Sequence, residues 1–226
     1  MDPVRALAAV VFDFDGVILD SETPEYESHR RIFERCGAEL TVEEWFADIG
    51  VWHDEQERRW HAALCERTRR APDWPTYELE KRRAFEDMLS LEPMPGIRRL
   101  LRELAFAGVP IAVASTAPAR WVLPAADRIG VRDHFQTIVT ADDVKRRKPA
   151  PDIYLEATRR LAADPSRSVA IEDSSPGVIS ATAAGLKAVA IPHWLTERHD
   201  LSRADLRVDS AAQLTLQMLE NLVKPD

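Results

Sequence analysis

Short apolar runs that stop abruptly at acids or hydroxyls recur along this chain, at residues 7–12, 111–114, 137–140, 168–171 and 187–191. Each has the length of a buried strand, and several are rich in Val and Ile. Between them lie stretches with helical periodicity at 97–107, 119–129, 151–162 and 177–184. Strands alternating with helices predict parallel βαβ units, hence an α/β fold with a Rossmann-like, doubly wound sheet. Such sheets bind their ligands in the crevice beyond the carboxyl ends of the strands.

Residues 21–91 read differently. No strand pattern occurs there, and charged and aromatic residues mix at helical spacing over 26–33, 42–49, 55–69 and 77–89, with Pro72 and Pro75 as breaks. This predicts a small all-helical insertion, residues 20–91, between the first strand and the rest of its sheet, dividing the sheet domain into 1–19 and 92–226. Pro93, Pro95 and Gly96 mark the return to the core. A last amphipathic helix is expected over 211–223.

Composition narrows the function. With 30 Lys+Arg against 38 Asp+Glu the net charge is −8, which argues against a nucleic-acid binder needing a basic face. No apolar run approaches the length of a membrane span, so no membrane partner is expected. The apolar stretch at 6–12 is too short and too soon acidic for a signal peptide. The two cysteines, Cys36 and Cys65, have neither zinc-site nor redox spacing, so two reduced thiols in a cytoplasmic protein are expected.

Four polar clusters follow proposed strands. In the first, Asp13 and Asp15 stand two residues apart, on one side of a strand end, before Gly16. Paired carboxylates suit phosphoryl transfer, one attacking phosphorus and the other moving protons; a pair of acids at a turn is the plainer alternative. The second, Ser115 and Thr116, could hold phosphate oxygens or cap the next helix. The third is Lys148, aimed by a Pro-rich helix entry, while Lys145, Arg146 and Arg147 read as a solvated turn. The fourth, Glu172 and Asp173, would complete an oxygen set for Mg²⁺, or lie in a loop where Ser174 or Ser175 caps a helix.

Together these motifs resemble the haloacid dehalogenase superfamily, in the subfamily with a helical cap after the first strand. The matching segments are Asp13-Phe14-Asp15-Gly16-Val17-Ile18-Leu19-Asp20-Ser21-Glu22, Ser115-Thr116, Lys148-Pro149-Ala150-Pro151-Asp152-Ile153-Tyr154 and Glu172-Asp173-Ser174-Ser175-Pro176-Gly177. The resemblance covers nearly the whole chain and points to sugar-phosphate and nucleotide-type phosphatases and β-phosphoglucomutases. It implies Asp13 as nucleophile through an aspartyl-phosphate, Asp15 as general acid and then base, and Ser115 with Thr116 on the phosphoryl oxygens. It also implies Lys148 as the cation at the transferring group. Mg²⁺ would be held by Asp13, Asp173 and the Asp15 main-chain carbonyl, with Glu172 direct or through water. True dehalogenases of the family lack the second acid, so Asp15 favours phosphorus chemistry on a small phosphorylated metabolite.

The cap reads the leaving group in this subfamily. Where many relatives carry a His ten positions after the acid/base Asp, this chain has Glu25, a departure that disfavours a mutase. His29, one turn on, reads as a surface residue. His53 falls where mutases carry a phosphate-gripping Arg, and Trp52 is the candidate for stacking on a sugar or base. Trp45, Trp60 and Trp74 read as cap core, and of Lys81, Arg82 and Arg83 at most two can face the site. The expected activity is therefore a Mg²⁺-dependent phosphatase. A β-phosphoglucomutase-type shuttle is the first alternative, and a non-catalytic binder of phosphate metabolites or a protein the second.

Overall fold

The computed structural model of the chain describes residues 6–46, 49 and 56–224. Six strands run parallel in one sheet: β1 (Ala9–Phe12), β2 (Ile111–Ala114), β3 (Thr137–Val139), β4 (Ser168–Glu172), β5 (Lys187–Ala190) and β6 (Leu206–Arg207), in the order β3-β2-β1-β4-β5-β6. The first five occupy the apolar runs. β6 escaped the sequence pattern because it has two residues and one exposed side.

β1 lies at the centre, with Phe12 level with Val113 of β2 and Ile171 of β4. That register places the carboxyl ends of three strands side by side, and the residues that follow them meet at one mouth. Alternation sorts the side chains. Val10, Phe12, Ile111, Val113, Val169, Ile171 and Val189 pack on one face, under α5 (Ile97–Phe106), α6 (Ala119–Arg128) and α9 (Leu216–Leu222). The other face is lined by Val11, Ala112, Ala114, Ala170, Ala188 and Ala190; its small side chains let α7 (Asp152–Arg160) and α8 (Ser175–Ala183) approach closely. Each fully buried Val, Ile or Leu contributes about 1.5–3 kcal/mol relative to an exposed one.

The expected tail helix is divided. A 3-10 turn at Ala211–Gln213 is followed by α9, whose N-cap Thr215 accepts from the Met218 amide. A cap residue in extended conformation inside the predicted 211–223 span breaks the helix there.

Between β1 and α5 the described residues form four helices, α1 (Glu22–Arg35), α2 (Val42–Trp45), α3 (Gln56–Arg67) and α4 (Trp74–Met88). Asp73 caps α4 by accepting from Thr76, with Pro75 in its first turn. These helices have their own core, with Tyr26, Phe33, Trp45, Trp60, Leu64 and Tyr77 among its residues. Trp45 and Trp60 stack with centroids 5.2 Å apart. Leu195, from the segment after β5, is buried in the same cluster, while nearby His193 meets Asp20 at 3.3 Å and Thr23 at 3.1 Å. The root of the helical insertion is thus tied to the sheet domain. No described helix is long and apolar enough to cross a membrane, and Cys36 and Cys65 are free thiols.

Candidate active site

The sheet mouth gathers the four clusters. Lys148 is buried between two carboxylates, its Nζ 2.7 Å from Asp13 Oδ1 and 2.7 Å from Glu172 Oε1. Asp13, Glu172 and Asp173 each offer an oxygen within 4.8 Å of the others, and all three are buried. Hard oxygen donors around a single lysine form a set suited to a divalent cation. Two glycines make this crowding possible. Gly16, at φ +79°, lies so close to Asp173 that a Cβ would strike its carboxylate, and a Cβ on Gly177 would strike that of Glu172.

Glu172 is more committed than its neighbours. Besides Lys148 it accepts from Tyr154 Oη at 2.5 Å, from the Asp173 amide at 3.3 Å and from Ser174 Oγ at 3.4 Å. Ser174 is also the N-cap of α8, accepting from Gly177, so the capping and acidic readings of this loop hold together.

Asp15 is held apart from the three-carboxylate cluster. Its Oδ1 accepts from Ser21 Oγ at 2.6 Å and from Trp121 Nε1 at 2.9 Å, and its Oδ2 accepts from Ser115 Oγ at 3.3 Å. Ser115 is not the cap of α6. That helix begins after Pro118, with its Ala119 amide bonded to Asp142 instead, leaving Ser115 aimed at the acid. Thr116 is buried beside it. Lys145 and Arg146 are exposed, Arg146 pairing with Asp152.

Burial dominates the electrostatics. It pushes Asp13 up to about 7 against the pull of Lys148, with Glu172 adding to the rise. Asp173 is raised well above the usual carboxylate range by burial and by Asp13 and Glu172. Burial also raises Asp15, opposed by its bonds from Ser21, Trp121 and Ser115. For Lys148 burial works the other way, but Asp13 and Glu172 outweigh it and hold the ammonium charged. Below about pH 7 a cation entering this cluster displaces a proton from Asp13, besides any held by Asp173. Affinity for a divalent cation is therefore expected to fall at least about tenfold per pH unit there. Calorimetric titration with Mg²⁺ in buffers of different ionisation enthalpy checks this, with proton release on binding as the signature. Equal affinity on both sides of neutrality would contradict it.

The helical insertion carries a charged network. Lys81, nearly buried, contacts Glu57 at 2.6 Å and Glu25 at 3.2 Å. Burial alone would raise Glu25, yet Lys81 and His29 hold it down to about 2, so it stays ionised. His29 is not the surface residue its sequence context predicts. It is fully buried, with Nδ1 2.5 Å from Tyr77 Oη and Nε2 3.4 Å from Glu25; the buried aromatics Trp45 and Tyr77 close over it. Trp52 and His53 lie outside the described residues. Arg82 and Arg83 are exposed.

Sequence reasoning left four participants without roles. Ser21, Glu22 and Tyr154 stand inside the quoted motifs but were assigned nothing. Glu22 is a further carboxyl pushed well up by burial, Asp15 and Glu25. Trp121 had no motif at all; its position in the first turn after the Ser115-Thr116 strand end was the only available signal.

Residues 10–191 match the haloacid dehalogenase-like hydrolase family. The chain is 34% identical over 223 residues to YhcW of Bacillus subtilis, covering 94% of this chain and 96% of that protein. It is 30% identical to a phosphorylated carbohydrates phosphatase of Thermotoga maritima, over 96% and 99% of the two chains. The crystal structure of CbbY from Rhodobacter sphaeroides in complex with phosphate superposes with a TM-score of 0.72 at 27% identity, over 95% and 99% of the chains. With an Asp-x-Asp strand end, a buried lysine and two further acids assembled at one sheet mouth, and a family match across most of its length, this chain belongs to the haloacid dehalogenase-like hydrolases.

Proposed function

We propose that the protein is a Mg²⁺-dependent phosphomonoester hydrolase of small phosphorylated carbohydrates, working in the cytoplasm through an aspartyl-phosphate on Asp13. The observation that carries this reading is the division of labour between two acids. Burial raises both acids, but Asp13 has a charged lysine at 2.7 Å that opposes the rise, while Asp15 is held by three neutral donors away from that lysine. A carboxyl beside a fixed cation and a second one turned away from it supply the nucleophile and the proton carrier of phosphoryl transfer.

Asp13 would attack phosphorus as the bond to the leaving oxygen breaks, and Asp15 would give that oxygen its proton. Asp15 would then take a proton from the water that hydrolyses the aspartyl-phosphate, regenerating Asp13. Ser115 and Thr116 supply hydroxyls for the phosphoryl oxygens, and Lys148 neutralises charge accumulating there. Asp13, Asp173 and the Asp15 main-chain carbonyl would hold Mg²⁺, with Glu172 direct or through water, and the bound ion would supply further positive charge to the transferring group. We assign residues 20–91 as the cap over this mouth and 1–19 with 92–226 as the core. The carbohydrate preference rests on the Thermotoga maritima relative and on the Glu25–Lys81–Glu57 network, whose carboxylates suit hydroxyl donors.

Phosphate release from sugar phosphates, polyol phosphates and nucleotides, with and without Mg²⁺, tests the proposal. Mg²⁺-dependent release led by carbohydrate esters is expected. No release from any ester would overturn it and direct attention to β-glucose 1-phosphate with a bisphosphate primer, the mutase assay.

A further inference from the structure

Two of the three donors to Asp15 are mechanically connected to the helical insertion rather than to the sheet alone. Ser21 stands at its root, one residue before α1. Trp121 belongs to α6 of the sheet domain, but its ring meets Phe85 of α4 edge-to-face, with centroids 5.5 Å apart and planes at 68°. The same phenyl ring lies 5.9 Å from Lys81 Nζ, within the network that holds Glu25. A continuous path therefore runs from the charged face of the insertion, through Lys81 and Phe85, to Trp121 and on to the Asp15 carboxylate.

A cavity of about 130 Å³ lies against the Trp121 indole, lined by Leu19, Leu89, Leu91, Pro124 and Ala125 among others. Leu89 and Leu91 belong to the segment by which the chain leaves α4 and returns to the sheet domain. The edge-to-face contact with Phe85 favours the indole orientation that points its N–H at Asp15, since aromatic pairs prefer such arrangements.

We propose that Trp121 is a positioning residue that couples the seating of α4 to the orientation of Asp15: with Phe85 against it the indole N–H grips Oδ1, and when Phe85 withdraws the grip is released. Asp15 then changes its hydrogen-bonding partners with the position of the cap, without Trp121 touching substrate. The inference deepens the hydrolase reading and rests on Asp15 as its acid/base. Sequence alone offers no sign of it, because Phe85 and Trp121 are joined only by tertiary packing.

Three variants test it. Trp121→Phe keeps a ring against Phe85 and removes the donor. Phe85→Ala keeps the donor and removes its support. Phe85→Tyr restores the ring. Each of the first two is expected to lower kcat roughly tenfold with KM little changed, and the double variant to lose no more than the worse single one, since residues acting as a unit are non-additive. Phe85→Tyr should recover kcat. Additive losses, or a change confined to KM, would overturn the coupling.

A measurement independent of turnover accompanies these. The Trp121 indole ¹H–¹⁵N resonance, assigned by its loss in Trp121→Phe, should shift in Asp15→Ala, and that shift should be largely lost when Asp15→Ala is made in a Phe85→Ala background, where the grip is already released. An Asp15→Ala shift of the same size in both backgrounds would overturn the proposal even if kcat falls. Failure of the hydrolase reading itself would show separately, as wild-type protein that releases no phosphate while the indole resonance still responds.

Discussion

Asp13→Asn protein should release phosphate at least about four orders of magnitude more slowly than wild type, because an amide oxygen is a poor nucleophile and leaves no aspartyl ester to hydrolyse. The substitution is nearly isosteric, and Lys148 keeps its 2.7 Å partner Glu172, so the fold should survive. Removing this carboxylate also removes an acid that is costly to ionise where it stands, since burial, with a smaller push from Glu172, raises Asp13 to about 7 against the pull of Lys148. A circular-dichroism melt at or above the wild-type midpoint, together with single-turnover assays lacking a phosphate burst, is the expected pair of results. Activity within about tenfold of wild type would remove Asp13 from the nucleophile role.

Lys148→Met should be the most destabilising single change at the mouth. It leaves Asp13, Glu172 and Asp173 buried without the ammonium that now touches two of them. Stripping one partner from a buried ion pair costs about 3–5 kcal/mol, on the order of 10 °C in melting temperature for a chain of this size. The loss should depend on pH in a defined direction. A carboxyl whose folded ionisation is raised binds a proton that the unfolded chain has already released, so stability declines as pH rises from the unfolded value of about 4 toward the raised one. Wild-type Asp13 reaches about 7, and without its lysine it rises further. The variant should therefore lie nearest wild type in acid and fall furthest behind above neutrality, where added Mg²⁺ should recover part of the difference. Thermal melts across that range, with and without Mg²⁺, check both. A pH-independent deficit would point to lost packing rather than lost charge.

Much of the site was legible because strand ends are read one residue at a time. Asp13, Ser115 and Glu172 each follow an uninterrupted apolar run, and a parallel sheet must bring such ends to one edge. Lys148 was legible through the prolines around it. Those signals are local, and each required only that its own strand be recognised. Glu25 was noticed as a departure, but its meaning came from Lys81, which lies 56 residues away and contacts it at 3.2 Å. His29 was misread for a related reason: helical periodicity does not show that Tyr77, 48 residues on, will cover it. The divided tail and the two-residue β6 were lost because short elements carry too few residues for a period to register.

Local signals in the chain set the succession of the first five strands and the helices between them, the helical insertion after the first strand, and the acids, hydroxyls and lysine placed at or after strand ends. These follow from hydrophobic periodicity and from the chemistry of single side chains. Tertiary structure alone decided which donors hold Asp15, that Lys148 bridges Asp13 and Glu172, that Gly16 and Gly177 admit neighbouring carboxylates, and that Phe85 reaches Trp121. Such pairings depend on distance in space between residues far apart in the chain, and the burial that sets their electrostatics exists only once the sheet and the helical insertion have closed on one another.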